Sequence, residues 1–287
     1  MTTKNILKPL NESASSFQVV RRGGEEPADQ SFATTLAHGL DVLSAFRAEE
    51  GALSNRELAE RTSLSRPTVS RLTHTLEVLG YLKRDANGLY KLGSRVLSIA
   101  YPLLARLRIR QLVRPLMKDF AAFTGGTVSI AMPLGINCIY VETIRTTDVS
   151  SHVPETGFTI SMALTAVGRS LLSLYSDAEF CTYRDAAMND DATTWSHVAS
   201  NIESGIASCR DRGFCLSLGE WRSDIYGAAA PLFRTPDGDC FSVNCGIPAF
   251  RFTADAVERE CGPRIAALAQ SIRSLAADQT RVGVASV

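Results

Sequence analysis

The residues of this chain best suited to do chemistry lie between Ser65 and His74, in the run SRPTVSRLTH. At 100° per residue, Pro67, Ser70, Arg71 and His74 share one side of a helix, opposite the apolar stripe Val69, Leu72, Leu76 and Leu79. Arg66 and Thr68 fall in the first turn. Ser65 is a good N-cap, and Pro67 sits where a missing N–H costs nothing. Arginine can grip guanine with two parallel hydrogen bonds, and Ser or Thr can serve bases or phosphates. The chemistry is recognition of a DNA groove, with Ser65, Arg66, Thr68, Ser70, Arg71 and His74 as candidate contacts. A solvated face on an ordinary helix would read the same way, so the surroundings must decide.

Catalytic patterns are missing. The chain has no Gly-rich phosphate loop, no Gly-x-Ser-x-Gly elbow and no His-Glu-x-x-His helix. Asp190 and Asp191 are an acidic pair in a polar stretch, MNDDATT, that reads as a loop. The cysteines Cys138, Cys181, Cys209, Cys215, Cys240, Cys245 and Cys261 form no Cys-x-x-Cys pair. His38, His74, His152 and His197 stand at no ligand spacing from them. Reduced thiols acting as small hydrophobes are expected, with no metal and no cofactor. No apolar run reaches membrane-spanning length and the N-terminus lacks a secretory core, so a cytoplasmic protein without membrane contact is expected.

The elements that must position the Ser65–His74 face are legible on both sides of it. Leu36, Leu40, Leu43 and Phe46 mark one face of a helix that starts near Phe32 and ends by Gly51. Ser54 and Glu57 form a capping box for a helix over residues 55–62 that buries Leu58 and Ala59. A turn over residues 62–64 leads into the arginine-bearing helix. Beyond Gly80, residues 81–84 and 89–92 read as strands around Asp85-Ala86-Asn87-Gly88, a hairpin signal. Lys83, Arg84 and Lys91 make that hairpin basic, and Lys83 and Arg84 join the candidate DNA contacts. Three helices and a basic hairpin are a winged helix-turn-helix, in which the wing holds phosphates and the second helix of the motif reads bases.

Charge separates along the chain. Residues 31–110 carry 12 basic against 7 acidic side chains, and residues 111–287 carry 14 against 19. A basic first half fits nucleic acid. A helical connector from Ser94 carries Val96, Leu97, Ala100, Leu103, Leu104 and Leu107, should kink at Pro102, and turns Arg106, Arg108 and Arg110 to solvent. Beyond it, strands are expected over 127–133, 137–144, 214–218, 228–234 and 240–245. Helices are expected over 165–175, 178–188, 195–212 and 254–277. The mixture implies an α+β protein with an antiparallel sheet and packed helices. The expected division is a tail over 1–30, a winged helix-turn-helix domain over 31–93, a connector over 94–110 and a second domain over 111–280.

Several blocks, in order, resemble the IclR family of bacterial transcriptional regulators. They are residues 36–43 (LAHGLDVL), 57–59 (ELA), 66–72 (RPTVSRL), 80–82 (GYL) and 90–93 (YKLG), then 165–172 (TAVGRSLL), 212–214 (RGF), 229–233 (AAPLF) and 248–253 (PAFRFT). The resemblance implies a GAF-like effector domain that binds a small organic molecule, often a carboxylate or aromatic acid. It also implies homodimers or dimers of dimers on a palindromic double-stranded DNA operator, controlling a catabolic operon. Carried over by position, the family's pocket falls at Ala166, Ser217, Ile225, Gly227, Asn244 and Gly246. Small-acid binders of the family tend to show an Asp, a Cys and two Ser where this chain has Ser217, Gly227, Asn244 and Gly246. The two glycines leave room for a larger, aromatic effector, unless they only serve turns or bulges. Donors for a carboxylate would be Asn244, Ser217, the helix start at residues 163–165, or Arg145, the last expected on the surface. An enzyme, or a protein-interaction module with a winged-helix appendage, stays open as an alternative; the basic wing favours DNA.

Overall fold

The computed structural model describes residues 31–47, 50–107, 109–146 and 154–284; the expected tail and Arg108 lie outside them. Two compact units divide the chain, one ending at Leu107 and the other beginning at Arg108.

In the first unit, α1 (Thr34–Ser44), α2 (Asn55–Thr62) and α3 (Arg66–Val78) precede an antiparallel hairpin, β1 (Leu82–Arg84) and β2 (Tyr90–Leu92). Helix α4 (Arg95–Arg106) follows. The capping box at Ser54 closes in both directions: Glu57 N–H donates to Ser54 Oγ at 3.2 Å, and Ser54 N–H to Glu57 Oε2 at 2.8 Å. Ser63, at φ 57°, turns the chain sharply between α2 and α3. Val42, Leu58, Val69, Leu76, Leu82 and Tyr90 form the core. Leu53 pairs with Tyr90 through two backbone hydrogen bonds and so ties the segment before α2 to the hairpin.

Two expectations about these helices fail. Leu36 and Leu40 are 64% and 55% exposed, and α1 instead buries Gly39 and Val42. A Cβ on Gly39 would lie 4.0 Å from Leu72, an ordinary contact distance, so α3 packs on this side of α1 without depending on the glycine. Helix α1 also ends at Ser44, well before Gly51. Pro102 lies inside α4 without ending it, and α4 buries none of its residues.

The second unit is a six-stranded antiparallel sheet with helices on both faces. Its elements are α5 (Ile109–Thr124), β3 (Thr127–Leu134), β4 (Asn137–Arg145), β5 (Thr159–Ser161), α6 (Ala166–Leu172), α7 (Asp177–Arg212), β6 (Cys215–Leu218), β7 (Ile225–Arg234), β8 (Cys240–Pro248), α8 (Ala254–Ala256) and α9 (Gly262–Val284). A π-helical turn over Val257–Cys261 joins α8 to α9. The strand order is β5-β4-β3-β8-β7-β6. Helices α5 and α9 pack against β3, β4, β7 and β8, with Thr124 of α5 bonded to Cys245 Sγ at 3.3 Å. Helix α6 covers the other face, where Ser242 Oγ donates to Ser170 Oγ at 2.7 Å, and α7 packs on α6.

Several elements depart from expectation here too. The two expected helices are both present within α7, joined by a kink at Asp191, at φ −151° and ψ 92°, where a longer polar loop was expected. Asp191 alone is non-helical and caps the second half, its carboxylate accepting from Thr194 N–H at 2.9 Å. Arg110 is not turned to solvent: its side chain is 19% exposed and pairs with buried Glu142 at 3.1 Å. All seven cysteines are free thiols, six of them buried.

Candidate functional site

The first unit presents a nucleic-acid face built from α3 and the hairpin. Ser65 caps α3, its Oγ accepting from Thr68 N–H at 3.3 Å and lying 2.8 Å from Thr68 Oγ1. Both hydroxyls are therefore committed first to starting the helix. Ser65, Arg66, Ser70, Arg71 and His74 are exposed and Thr68 is half-buried, while Val69, Thr73 and Leu76 turn inward. Among the described residues neither Arg66 nor Arg71 is held by an acidic side chain, which leaves both guanidinium forks available. In the hairpin, Lys83 and Lys91 are opposite one another in register and exposed. Arg84 is engaged locally: its Nε donates to Gly88 O at 3.2 Å and its guanidinium lies 5.6 Å from the Tyr90 ring. The hairpin tip is organised by Asp85, whose carboxylate accepts from Asn87 and Leu89 N–H at 2.9 and 3.0 Å, with Gly88 at φ 80°.

The second unit holds a cavity on the sheet face that α6 covers. Strand register builds it. Ser217, Gly227, Gly246 and Thr127 stand in one row across β6, β7, β8 and β3, and Ala229, Asn244 and Ser129 stand in the next row on the same face. The space at this site is about 840 Å³ when the open solvent at its mouth is counted. Ala166, Ser217, Ile225, Gly227, Asn244 and Gly246 all line it. Neither Gly227 nor Gly246 has a positive φ, so no turn or bulge requires them. A Cβ at Gly246 would meet only Ile225, at 3.9 Å, so that position is open, whereas a Cβ at Gly227 would touch Ala166 at 3.4 Å and Ser217 at 3.6 Å.

Other lining residues escaped the sequence reading. Tyr140, on β4, is buried, and its phenol oxygen accepts from Asn244 Nδ2 at 3.0 Å. Burial pushes its pKa well up and keeps it protonated. Trp221, Arg222 and Asp224, on the loop between β6 and β7, line the mouth. The Arg222 guanidinium bonds both Asp224 carboxylate oxygens, at 3.0 and 2.9 Å, and holds that carboxyl below its ordinary range. Glu220 anchors the same loop through buried Arg169 of α6 and through Asn201 Nδ2 at 3.1 Å. No local motif marks these residues; a Trp-Arg-Ser-Asp loop becomes informative only once the sheet order places it over the cavity. Ser217 Oγ donates to Leu164 O at 3.3 Å. Arg145 is outside the cavity, exposed and paired with Glu155 at 3.3 Å. Among the described residues no cluster of His, Cys, Asp or Glu could hold a metal ion.

Family comparison decides what these two surfaces belong to. Residues 35–86 match the IclR helix-turn-helix domain, and residues 102–274 match the C-terminal domain of the bacterial transcriptional regulator IclR. The chain belongs to the IclR family. It is a DNA-binding transcriptional regulator, not an enzyme. An IclR-family regulator from Brucella abortus of known crystal structure is similar at 33% identity and a TM-score of 0.79, covering 89% of this chain and 97% of that one. The regulator TsaQ1/TsaQ2 of Comamonas testosteroni is 25% identical over 245 residues, 84% of this chain and 87% of that protein. An IclR homologue from Microbacterium hydrocarbonoxydans, solved in complex with 4-hydroxybenzoate, shares the fold at 18% identity and a TM-score of 0.65, covering 84% of this chain and 98% of that one. Among the described residues no helix is long and apolar enough to cross a membrane.

Proposed function

We propose that this IclR-family chain is an effector-controlled regulator that reads a double-stranded operator with α3 and the hairpin and binds a small aromatic acid in the cavity of the second unit. Residues 31–93 carry the DNA reading, 94–110 the connection and 111–280 the effector response. Arg66 and Arg71 serve base edges, with Ser65, Thr68, Ser70 and His74 around them; Lys83 and Arg84 serve phosphates. The observation that carries the effector half is the cavity, which gathers Ala166, Ser217, Ile225, Gly227, Asn244 and Gly246 from four separate elements. The open position at Gly246 leaves space for a ring, and the 4-hydroxybenzoate complex of the Microbacterium homologue supports the same ligand class. Helix α4 buries none of its residues and exposes Leu97 and Tyr101 on one side and Ile99 and Leu103 on the other, apolar surface suited to a second copy of the chain. Pairing fits a palindromic operator, because one reading helix spans only a few base pairs. A cytoplasmic homodimer or dimer of dimers governing a catabolic operon follows.

The test uses the purified full chain. A thermal-shift panel of aromatic and aliphatic acids should raise the melting temperature with aromatic members, since a ligand that binds only the folded state stabilises it. Gly246→Val, which fills the cavity from a position with room for a Cβ, should abolish that shift while the protein stays folded. A preference for two- or three-carbon acids, or a shift that survives Gly246→Val, sinks the reading.

A further inference from the structure

The cavity is chemically two-ended. At its floor, Asn244 donates to the Tyr140 oxygen, which leaves the phenol proton with no acceptor among the described residues. A buried donor without an acceptor is unfavourable, so a ligand atom placed there should be a hydroxyl or carbonyl oxygen. The other floor groups offer no charge: Ser129 Oγ is 3.0 Å from Thr143 Oγ1, and Ser217 is bonded to Leu164 O. An ionised carboxylate seated there would give up water for neutral donors alone, at a large desolvation cost. The cation is at the mouth instead. Arg222 is 45% exposed and its fork already carries a carboxylate, that of Asp224. Tyr140 and Trp221 both line the cavity between the two ends, and Phe158 lies against each of them from outside it, 6.0 Å from the Tyr140 ring and edge-on 6.4 Å from Trp221.

We propose that the effector is an aromatic carboxylate bearing a hydroxyl, bound hydroxyl end first against Tyr140, its carboxylate replacing that of Asp224 on Arg222 at the mouth. The proposal deepens the effector reading and rests on it. Asp224 is a stand-in: it keeps the guanidinium oriented for a planar anion, and an exposed pair of this kind holds weakly enough to exchange. Exchange frees the Asp224 side chain. Its backbone carbonyl still accepts from Ala249 N–H at 2.9 Å, so the loop keeps its anchor on the strand end while its ion pair changes partner.

Calorimetric titration of the full chain with 4-hydroxybenzoate, benzoate and 4-hydroxybenzamide tests this. Wild type should bind 4-hydroxybenzoate most tightly of the three. Arg222→Gln should weaken that binding by about 10- to 100-fold, the worth of a charge-assisted pair, and erase the preference over the amide. Asp224→Asn should strengthen it by roughly three- to tenfold, because the competing anion is gone. Tyr140→Phe should erase the preference for 4-hydroxybenzoate over benzoate. The proposal is overturned, with the cavity reading intact, if Gly246→Val abolishes binding but Arg222→Gln leaves it unchanged or Asp224→Asn weakens it. If wild type binds none of the three, or Gly246→Val binds as wild type does, the cavity reading falls and the proposal with it.

Discussion

At the scale of single residues, the two functional surfaces differ in how locally they are encoded. Arg71 stands on α3 with its guanidinium exposed and outside any acidic pair among the described residues, whereas Lys83 stands on the hairpin. Base contacts specify and phosphate contacts position, so the two should fail differently. Arg71→Ala should lose about 1–3 kcal/mol on the operator and little on unrelated DNA. Lys83→Ala should weaken both alike and lower the salt slope by about one. Fluorescence anisotropy against operator and scrambled duplexes at several salt concentrations separates the cases; equal losses on both duplexes for Arg71→Ala would remove it from base reading. The α3 part of this face was legible in the sequence because capping, stripe and charged side all lie between Ser65 and Leu79. The cavity's six residues were reached only through likeness to a family. Tyr140, Trp221 and Arg222 stayed hidden because their role depends on which strands become neighbours.

At the scale of elements, long-range ion pairs hold together what local propensity cannot. Helix α5 reaches the sheet through Arg110 and Arg114, which flank Glu142 of β4 at 3.1 and 2.7 Å, and the Glu142 side chain is 4% exposed. Removing the shared anion takes an ion-pair partner from two cations, one of them largely buried. Glu142→Ala should cost about 2–4 kcal/mol, read as an earlier denaturant transition of the second unit. Helix α7 begins with a capping box in which Glu179 also binds Arg234 of β7, at 2.7 and 2.5 Å. Those bonds lower the Glu179 pKa from 4.5 to about 2. A depressed carboxyl contributes stability above its unfolded pKa and loses it as pH falls through the folded one. The stability gap between wild type and Glu179→Gln should therefore be full above pH 4.5 and close towards pH 2. The pair is partly exposed, so the gap should stay within about 1 kcal/mol. A gap that widens on acidification would exclude this linkage. Strands and helices with strong local signals were legible in the sequence. At α1, α3 packs on the side that carries Gly39 and Val42, so that side is buried and Leu36 and Leu40 are not. At α7, Asp191 restarts a helix with its own side chain, so a kink stands where a polar loop was expected. The three-residue β5 pairs with β4 at the sheet edge and carries too few residues for any alternation to show.

At the scale of the whole molecule, a basic first half and an acidic second half belong to one regulatory chain, and the physics of such a chain constrains how its two surfaces communicate. An effector shifts DNA affinity only by as much as its own affinity differs between the DNA-competent and incompetent states. The coupling is reciprocal: if bound effector changes operator affinity by some factor, bound operator changes effector affinity by the same factor. For coupling in the usual range of about 1–3 kcal/mol, that factor is roughly 5 to 150. The measurement needs two titrations at one salt concentration, because the phosphate contribution alone would otherwise move the result. Operator binding is followed with and without saturating effector, and effector binding is followed with and without saturating operator. Equal factors are expected, of either sign, since activator and repressor differ in promoter geometry rather than in this linkage. Arg71→Ala should leave effector affinity in the absence of DNA as it was and raise the operator concentration needed to change it. Operator affinity indifferent to a ligand that fills the cavity would make that ligand an occupant of the cavity but not the signal this regulator answers to.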